Sequence, residues 1–207
     1  MGLLNLLLKD PVAFILIAIP LLYAIIFHEL AHGWVAYRLG DPTARSLGRL
    51  SLNPLKHLDP VGTLMLFIFG FGWAKPVPVN FSRLRDRRMG TIFVSAAGII
   101  ANMLLATMAL FLLRLLSPPP SSMPALLLHY FAQVNIILAA FNLIPLPPLD
   151  GSKILMGFAS PKVQNVLFRF ERYGFFVILV LLYFGLLNPV IDFFRWMILS
   201  FINLMLS

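Results

Sequence analysis

The chain has 207 residues, 60% of them hydrophobic and 12% charged, with a mean hydropathy of +0.91. A soluble domain of this length does not carry so much apolar side chain, so the composition reads as a polytopic membrane protein. The absence of cysteine excludes disulfides, thiolate metal ligands and a cysteine nucleophile. The net charge of +8 comes without any nucleic-acid recognition motif; basic residues in short loops beside membrane helices set topology instead.

In chain order, Val12 to Phe27 is a run of sixteen uncharged residues. It has no basic segment before it and no small-residue cleavage site after it, so it reads as a retained membrane helix rather than a signal peptide. Helical character continues to Tyr37, long enough to span with some tilt. Pro20 is expected to kink it. Between Arg38 and Arg88 the character changes, with nine basic residues and Pro and Gly punctuation. Inside that stretch Gly62 to Ala74 is uncharged but too short to cross, and reads as a re-entrant or interfacial segment. Gly72 to Val79 reads as an extended edge strand, because Pro76 and Pro78 remove donors on one side.

Met89 to Leu113 is a second crossing, and Ser117 to Ser122 a charge-free turn. Pro124 to Leu149 is a third crossing, closed by Asp150-Gly151. Lys153 to Arg172 reads as a short interfacial helix, Tyr173 to Leu187 as a fourth crossing and Pro189 to Ser207 as a fifth. The expected architecture is an all-α polytopic membrane protein of about five transmembrane helices, with a re-entrant or β-strand loop between the first and second. It forms one membrane-embedded domain over 1–207, with a core of about 11–160 and accessory helices at about 161–207. With these crossings thirteen of the sixteen Lys and Arg fall on one side. The positive-inside bias then puts the N-terminus outside, the C-terminus inside, and the ends of the first and third crossings on the cytoplasmic side of the cell membrane.

The chemistry is concentrated in His28-Glu29-Leu30-Ala31-His32. The whole chain holds four His and two Glu, and three of these six stand in this pentapeptide inside an apolar run. Two histidines four apart share one helix face and can grip one zinc ion, with Glu29 beside them as general base. The plain alternative is a hydrogen-bonded polar cluster, but ionisable residues inside a membrane segment generally mark function. A hydrolytic zinc site wants a third protein ligand. Candidates are His57, His129, Glu171 and the aspartates, among which Asp150 is best placed and Asp59 is the rival. Spacing alone leaves Asp150 open between a ligand and the cap of a helix starting at Ser152.

The chain resembles the site-2 proteases, which are intramembrane zinc metalloproteases. The resemblance rests on His28–His32, on the stretch from Asn53 to Thr63, on Gly72–Asn80, and on Asn142-Leu143-Ile144-Pro145-Leu146-Pro147-Pro148-Leu149-Asp150-Gly151. It looks like the compact subtype without an inserted PDZ domain. The resemblance implies one Zn²⁺ per chain held by His28, His32 and Asp150. It implies Glu29 as catalytic base, and Asn142 and Asn102 facing the site to orient substrate or stabilise the oxyanion. One departure is that Gly98 is followed by Ile99 where the family has Gly-Pro. The implied substrates are transmembrane proteins cut in regulated intramembrane proteolysis, with the lipid bilayer as surroundings and no nucleic acid; a homo-oligomer is left open. The competing function is an ion- or proton-coupled transporter using the same His/Glu/Asp cluster, which lacks the matched pair of broken helices. A di-iron carboxylate bundle fails for want of glutamates.

Overall fold

A computed structural model describes residues 3–70 and 72–207. A short helix α1 (Leu3–Lys9) precedes the long α2 (Pro11–Arg38). Asp10 starts α2 by accepting the Ala13 amide at 2.9 Å, with Pro11 in the first turn, where a missing N–H costs nothing. The helix runs unbroken through Pro20 and ends where Gly40 turns the chain with φ +110°, a backbone state that suits glycine. After a short α3 (Thr43–Ser46) and α4 (Pro60–Phe69) come the two long helices α5 (Arg87–Leu116) and α6 (Met123–Leu143). Asp86 caps the first of these and Ser122 the second.

Helices α2, α5 and α6 pack against one another through small side chains. Ala24, Ala106, Ala109, Ala132, Ala139 and Ala140 are all buried, so the backbones approach closely, as membrane bundles require. The chain ends with α7 (Asp150–Phe158), α8 (Pro161–Tyr183) and α9 (Asn188–Leu206). Ile198 and Ile202 of α9 complete a cluster with Ile99, Ala106, Ile136, Ala139 and Ala140.

The all-α polytopic architecture is as expected, but among the described residues four rather than five helices are long and apolar enough to cross: α2, α5, α6 and α9. The expected break between an interfacial helix and a fourth crossing at Tyr173 does not occur. Pro161 starts one helix and nothing interrupts it before Gly185, with φ +70°. Its first half carries Lys162, Arg169, Glu171 and Arg172, and the apolar remainder, Tyr173 to Tyr183, is only about 16 Å long. Gly174 rests on the Pro147 carbonyl, and Ile178 and Leu187 cluster with Ile144 and Leu149. Both ends of the apolar half therefore stay at the level where α6 ends. Consequently α9 runs the other way from the expectation. Arg114, at the end of α5, donates to the Leu206 carbonyl at 2.8 Å and to Asn203 at 3.2 Å. The C-terminus lies with the α5–α6 turn, across the bundle from the His28–His32 end of α2.

The loop between α2 and α5 also differs. No strand forms among the described residues; an isolated antiparallel bridge pairs Leu58 with Ala74. Lys75 donates its amide to the His57 carbonyl at 2.8 Å and Val77 to Glu29 at 2.7 Å. The alternate positions are Pro76 and Pro78, which have no N–H to give. A limb whose donors all point one way cannot build a ladder on its other edge. Within this loop α4 packs beside α1, and Phe67 meets Phe14 of α2 at a ring distance of 5.9 Å.

Candidate metal centre

His28 and His32 stand one turn apart on α2, their rings edge-on at 4.5 Å between centroids. Asp150 approaches from the first turn of α7. The two Nε2 atoms are 2.9 Å apart, and each lies 3.1 Å from Asp150 Oδ2. All three residues are buried. What holds the imidazoles in this attitude is on their far side. Nδ1 of His32 donates to the Val94 carbonyl at 2.6 Å, and Nδ1 of His28 donates to Asn102 Oδ1 at 2.6 Å. Since the δ nitrogens carry the protons, each neutral ring turns a lone pair toward the other and toward the carboxylate.

Three acceptors thus converge with no hydrogen among them, and Asp150 Oδ2 is buried without a hydrogen-bond partner. Such a cluster repels itself unless a cation sits in it. Two imidazole nitrogens and one carboxylate oxygen suit Zn²⁺, whose tetrahedral ligands stand about 3.3 Å apart for bonds near 2.05 Å. Among the described residues, these three form the His/Asp/Glu group close enough to hold a metal. Close packing keeps the pair of rings in place. A Cβ on Gly98 of α5 would fall 2.5 Å from His28 Cε1 and His32 Nε2, so only glycine fits there.

The alternatives for the third donor have other partners. Asp59 caps α4 by accepting the Gly62 amide at 2.8 Å. His57 donates from Nε2 to the Ser51 carbonyl, and His129 meets Tyr130 edge-on in the opposite half of α6. Asp150 itself caps nothing: Leu149 occupies the cap position of α7, with no side-chain cap bond.

Glu29 sits beside the cluster. Its Oε2 accepts the Val77 amide, tying α2 to the limb that follows Trp73. Gly33 permits this approach, because a Cβ there would meet Val77 Cγ1 at 2.8 Å. A cavity of about 410 Å³ opens over the cluster, lined on one side by Glu29, Val77 and Phe81 and on the other by Asn142, Asp150 and Lys153.

The two expected asparagines part ways. Asn142 lines the cavity and gives one amide hydrogen to the Leu138 carbonyl of its own helix. Asn102 does not line it, and both its amide hydrogens are committed, to the Ala24 carbonyl at 3.2 Å and to Asn135 Oδ1 at 2.8 Å. It has no donor left for an oxyanion, and its carbonyl oxygen accepts from His28. The α5 helix passes through Gly98-Ile99 unbroken, which keeps Asn102 one turn from Gly98 on the same face. Sequence reasoning missed Asn135, Val94 and Ser95. Asn135 is a polar residue two turns before Asn142 on the same face of a mostly apolar helix, and that spacing is a signal in the sequence. The Val94 carbonyl carries none. Ser95 lines the cavity with its buried hydroxyl unpartnered, whereas Thr91 and Thr107 on the same helix bond back to carbonyls.

Asp41, just beyond α2, anchors the far end of the limb. It accepts from the Asn80 amide at 2.6 Å and from the Thr43 amide and hydroxyl. Burial pushes its carboxyl up, but these hydrogen bonds, with the Arg83 charge, hold it below its ordinary value.

Residues 120–185 match the model of the family described as Peptidase family M50. A Bacillus subtilis protein named "Putative zinc metalloprotease YwhC" is 44% identical over 172 residues, covering 80% of this chain and 78% of that protein. A Mycolicibacterium smegmatis protein with the same descriptive name, Rip2, is 30% identical over 188 residues, 88% of this chain and 70% of its own. One from Methanocaldococcus jannaschii, MJ0611, is 33% identical over 132 residues and 63% of each chain. No solved structure matches the chain. With four apolar helices long enough to cross and these relatives, the chain belongs to peptidase family M50, the site-2 proteases, and is a multi-pass membrane zinc metalloprotease.

Proposed function

We propose that this enzyme hydrolyses peptide bonds within or beside transmembrane segments of membrane-protein substrates, as in regulated intramembrane proteolysis. The site faces the cytoplasmic side, and one Zn²⁺ per chain is held by His28, His32 and Asp150. The observation that carries the reading is the convergence of three buried lone-pair donors one residue from Glu29. His28 and His32 lie on the membrane-length helix α2 and Asp150 on α7, with His32 only about 9 Å of axial rise from the end of α2. The metal, when bound, supplies Lewis-acid polarisation of a carbonyl and acidifies a water molecule.

The chain's own groups do the rest. Glu29 takes a proton from the attacking water and later returns it to the amine nitrogen of the cleaved bond. The Val77 amide holds one carboxylate oxygen of Glu29, which leaves the other for the water. Asn102 and the Val94 carbonyl act as positioning groups, keeping the imidazoles in the tautomer that presents Nε2. Asn142 has a second amide hydrogen to offer a substrate carbonyl. The walls contributed by Val77, Phe81 and Val94 limit water around the reacting bond. The excess of Lys and Arg in the α2–α5 loop supports the cytoplasmic assignment. The core at about 11–160 with accessory helices beyond it is one membrane-embedded unit.

The test is reconstitution into liposomes with a single-span substrate and a water-soluble peptide of comparable length. Cleavage in or next to the span, abolished by a chelator and by Glu29→Gln, is expected. Equal or faster cleavage of the soluble peptide with the span left intact overturns the proposal.

A further inference from the structure

Lys153 takes no part in the chemistry assigned to Glu29 and Asn142. In the sequence it counts only as one more charge on the basic side. In the structure it is, among the described residues, the one lysine or arginine lining the cavity over His28, His32 and Asp150. Its side chain is 28% exposed, so its ammonium is within reach of a molecule in the cavity. Local helix chemistry does not ask for it there. Lys153 stands in the first turn of α7, at the end of a helix where a cation meets the positive pole of the dipole. Its Nζ is 3.9 Å from Asp150 Oδ1, beyond hydrogen-bond reach. That oxygen is the one turned away from the histidines, so the ammonium keeps its hydrogens uncommitted.

Of the other donors near the site, Asn142 alone keeps a free amide hydrogen, and it is neutral. Asn102 has both amide hydrogens in use, and Asn142 has one of two in use. The Val77 amide is held by Glu29, and the Ser95 hydroxyl is fully buried. We propose that Lys153 is a catalytic residue whose ammonium donates a hydrogen bond to the substrate carbonyl oxygen as negative charge develops on it. This rests on the reading of the site as a peptide hydrolase. In the step concerned, the water oxygen bonds to the carbonyl carbon, the water's proton passes to Glu29, and the carbonyl π pair moves onto oxygen. Lys153 Nζ–H bonds to that oxygen and keeps its proton. The C–N bond then breaks as the pair returns, and Glu29 gives its proton to the departing nitrogen. A fixed positive charge beside the reacting carbonyl acts mainly on the transition state, where the oxygen is charged, and little on bound substrate.

The experiment compares Lys153→Met, Lys153→Arg and Glu29→Gln in liposomes, with kcat, KM and zinc per chain measured on one single-span substrate. A fluorescent version of that substrate is also titrated against Glu29→Gln and against Glu29→Gln/Lys153→Met. Lys153→Met is expected to lower kcat by about 100-fold with zinc retained, KM little changed and substrate affinity equal in the two inactive backgrounds. Lys153→Arg, which keeps a charged donor, is expected to recover most of the rate. The proposal is overturned if Lys153→Met turns over within twofold of wild type. It is also overturned if its loss of rate follows loss of zinc, which would confine Lys153 to the Asp150 pair, or if it raises KM alone. Wild type and Glu29→Gln keep the claims apart. A wild type that leaves the substrate intact sinks the hydrolase reading and an active Glu29→Gln sinks the base assignment, whereas an inactive Glu29→Gln beside a fully active Lys153→Met sinks only this proposal.

Discussion

Replacing Asn102 by Leu removes the group that joins three helices behind the metal centre without touching any metal-binding atom. The amide accepts from His28 Nδ1 at 2.6 Å, and donates to Asn135 at 2.8 Å and to the Ala24 carbonyl at 3.2 Å. Leucine is close in volume, so no large cavity opens. Two groups are orphaned, the His28 Nδ1–H and Asn135 Oδ1; the Ala24 carbonyl keeps its helical partner. Each buried unpaired group costs about 1–3 kcal/mol, so folding stability should fall by roughly 2–5 kcal/mol after some offset from apolar burial. His28 also loses the bond that sets its tautomer, and zinc affinity should drop about 10–100-fold. Asn102→Asp keeps an acceptor facing His28 and should lose less. The assay is competitive zinc titration against a chromophoric chelator in detergent, with thermal unfolding alongside. Zinc affinity within twofold of wild type in Asn102→Leu would refute the claim that Asn102 positions His28.

Reporter or cysteine-accessibility tags at Ser121 and Ser207 should read on the same side of the membrane, and a tag at Lys162 on the other; Ser207 reading with Lys162 would restore a fifth crossing. Asp41 should make stability depend on acid. Its folded value is depressed, so its contribution is fully present above the unfolded carboxyl value of about 4 and is lost as pH falls through the folded one. Denaturant midpoints of wild type and Asp41→Asn should therefore converge as pH drops from 6 toward 3, and parallel curves would contradict this.

What could be read in advance follows from where chemistry resides in side chains. His28, Glu29 and His32 were legible because each is costly in an apolar helix. Asp150 was legible as a candidate, yet its choice between ligand and cap depended on which way the chain enters α7, a matter of packing. Asp59, the rival in the sequence, caps α4. The direction of Asn102 depends on the register of α5 against α2, set by Gly98 meeting the two histidines, and no pattern within α5 reports it. The Val94 carbonyl is beyond any sequence signal, since every residue has one. The crossing count failed at α8 for a different reason. Charges at Arg169, Glu171 and Arg172 suggested a break, but charge decides whether a helix enters the membrane, not where it ends. Once α8 stays on one side, α9 must run back toward the α5–α6 turn, as the Arg114–Leu206 contact requires.

The central claim is that α2 and α7 together build a hydrolytic zinc site, with Asp150 as ligand and Glu29 as base. It is tested most directly by measuring zinc per chain and cleavage of one single-span substrate for wild type, Glu29→Gln, Asp150→Asn and Asp59→Asn. Asn caps a helix about as well as Asp, so the Asp59 change should leave both readouts near wild type. Glu29→Gln should keep one zinc per chain and lose cleavage, and Asp150→Asn should lose both. Full zinc and full turnover in Asp150→Asn, or metal loss in Asp59→Asn instead, would contradict the account.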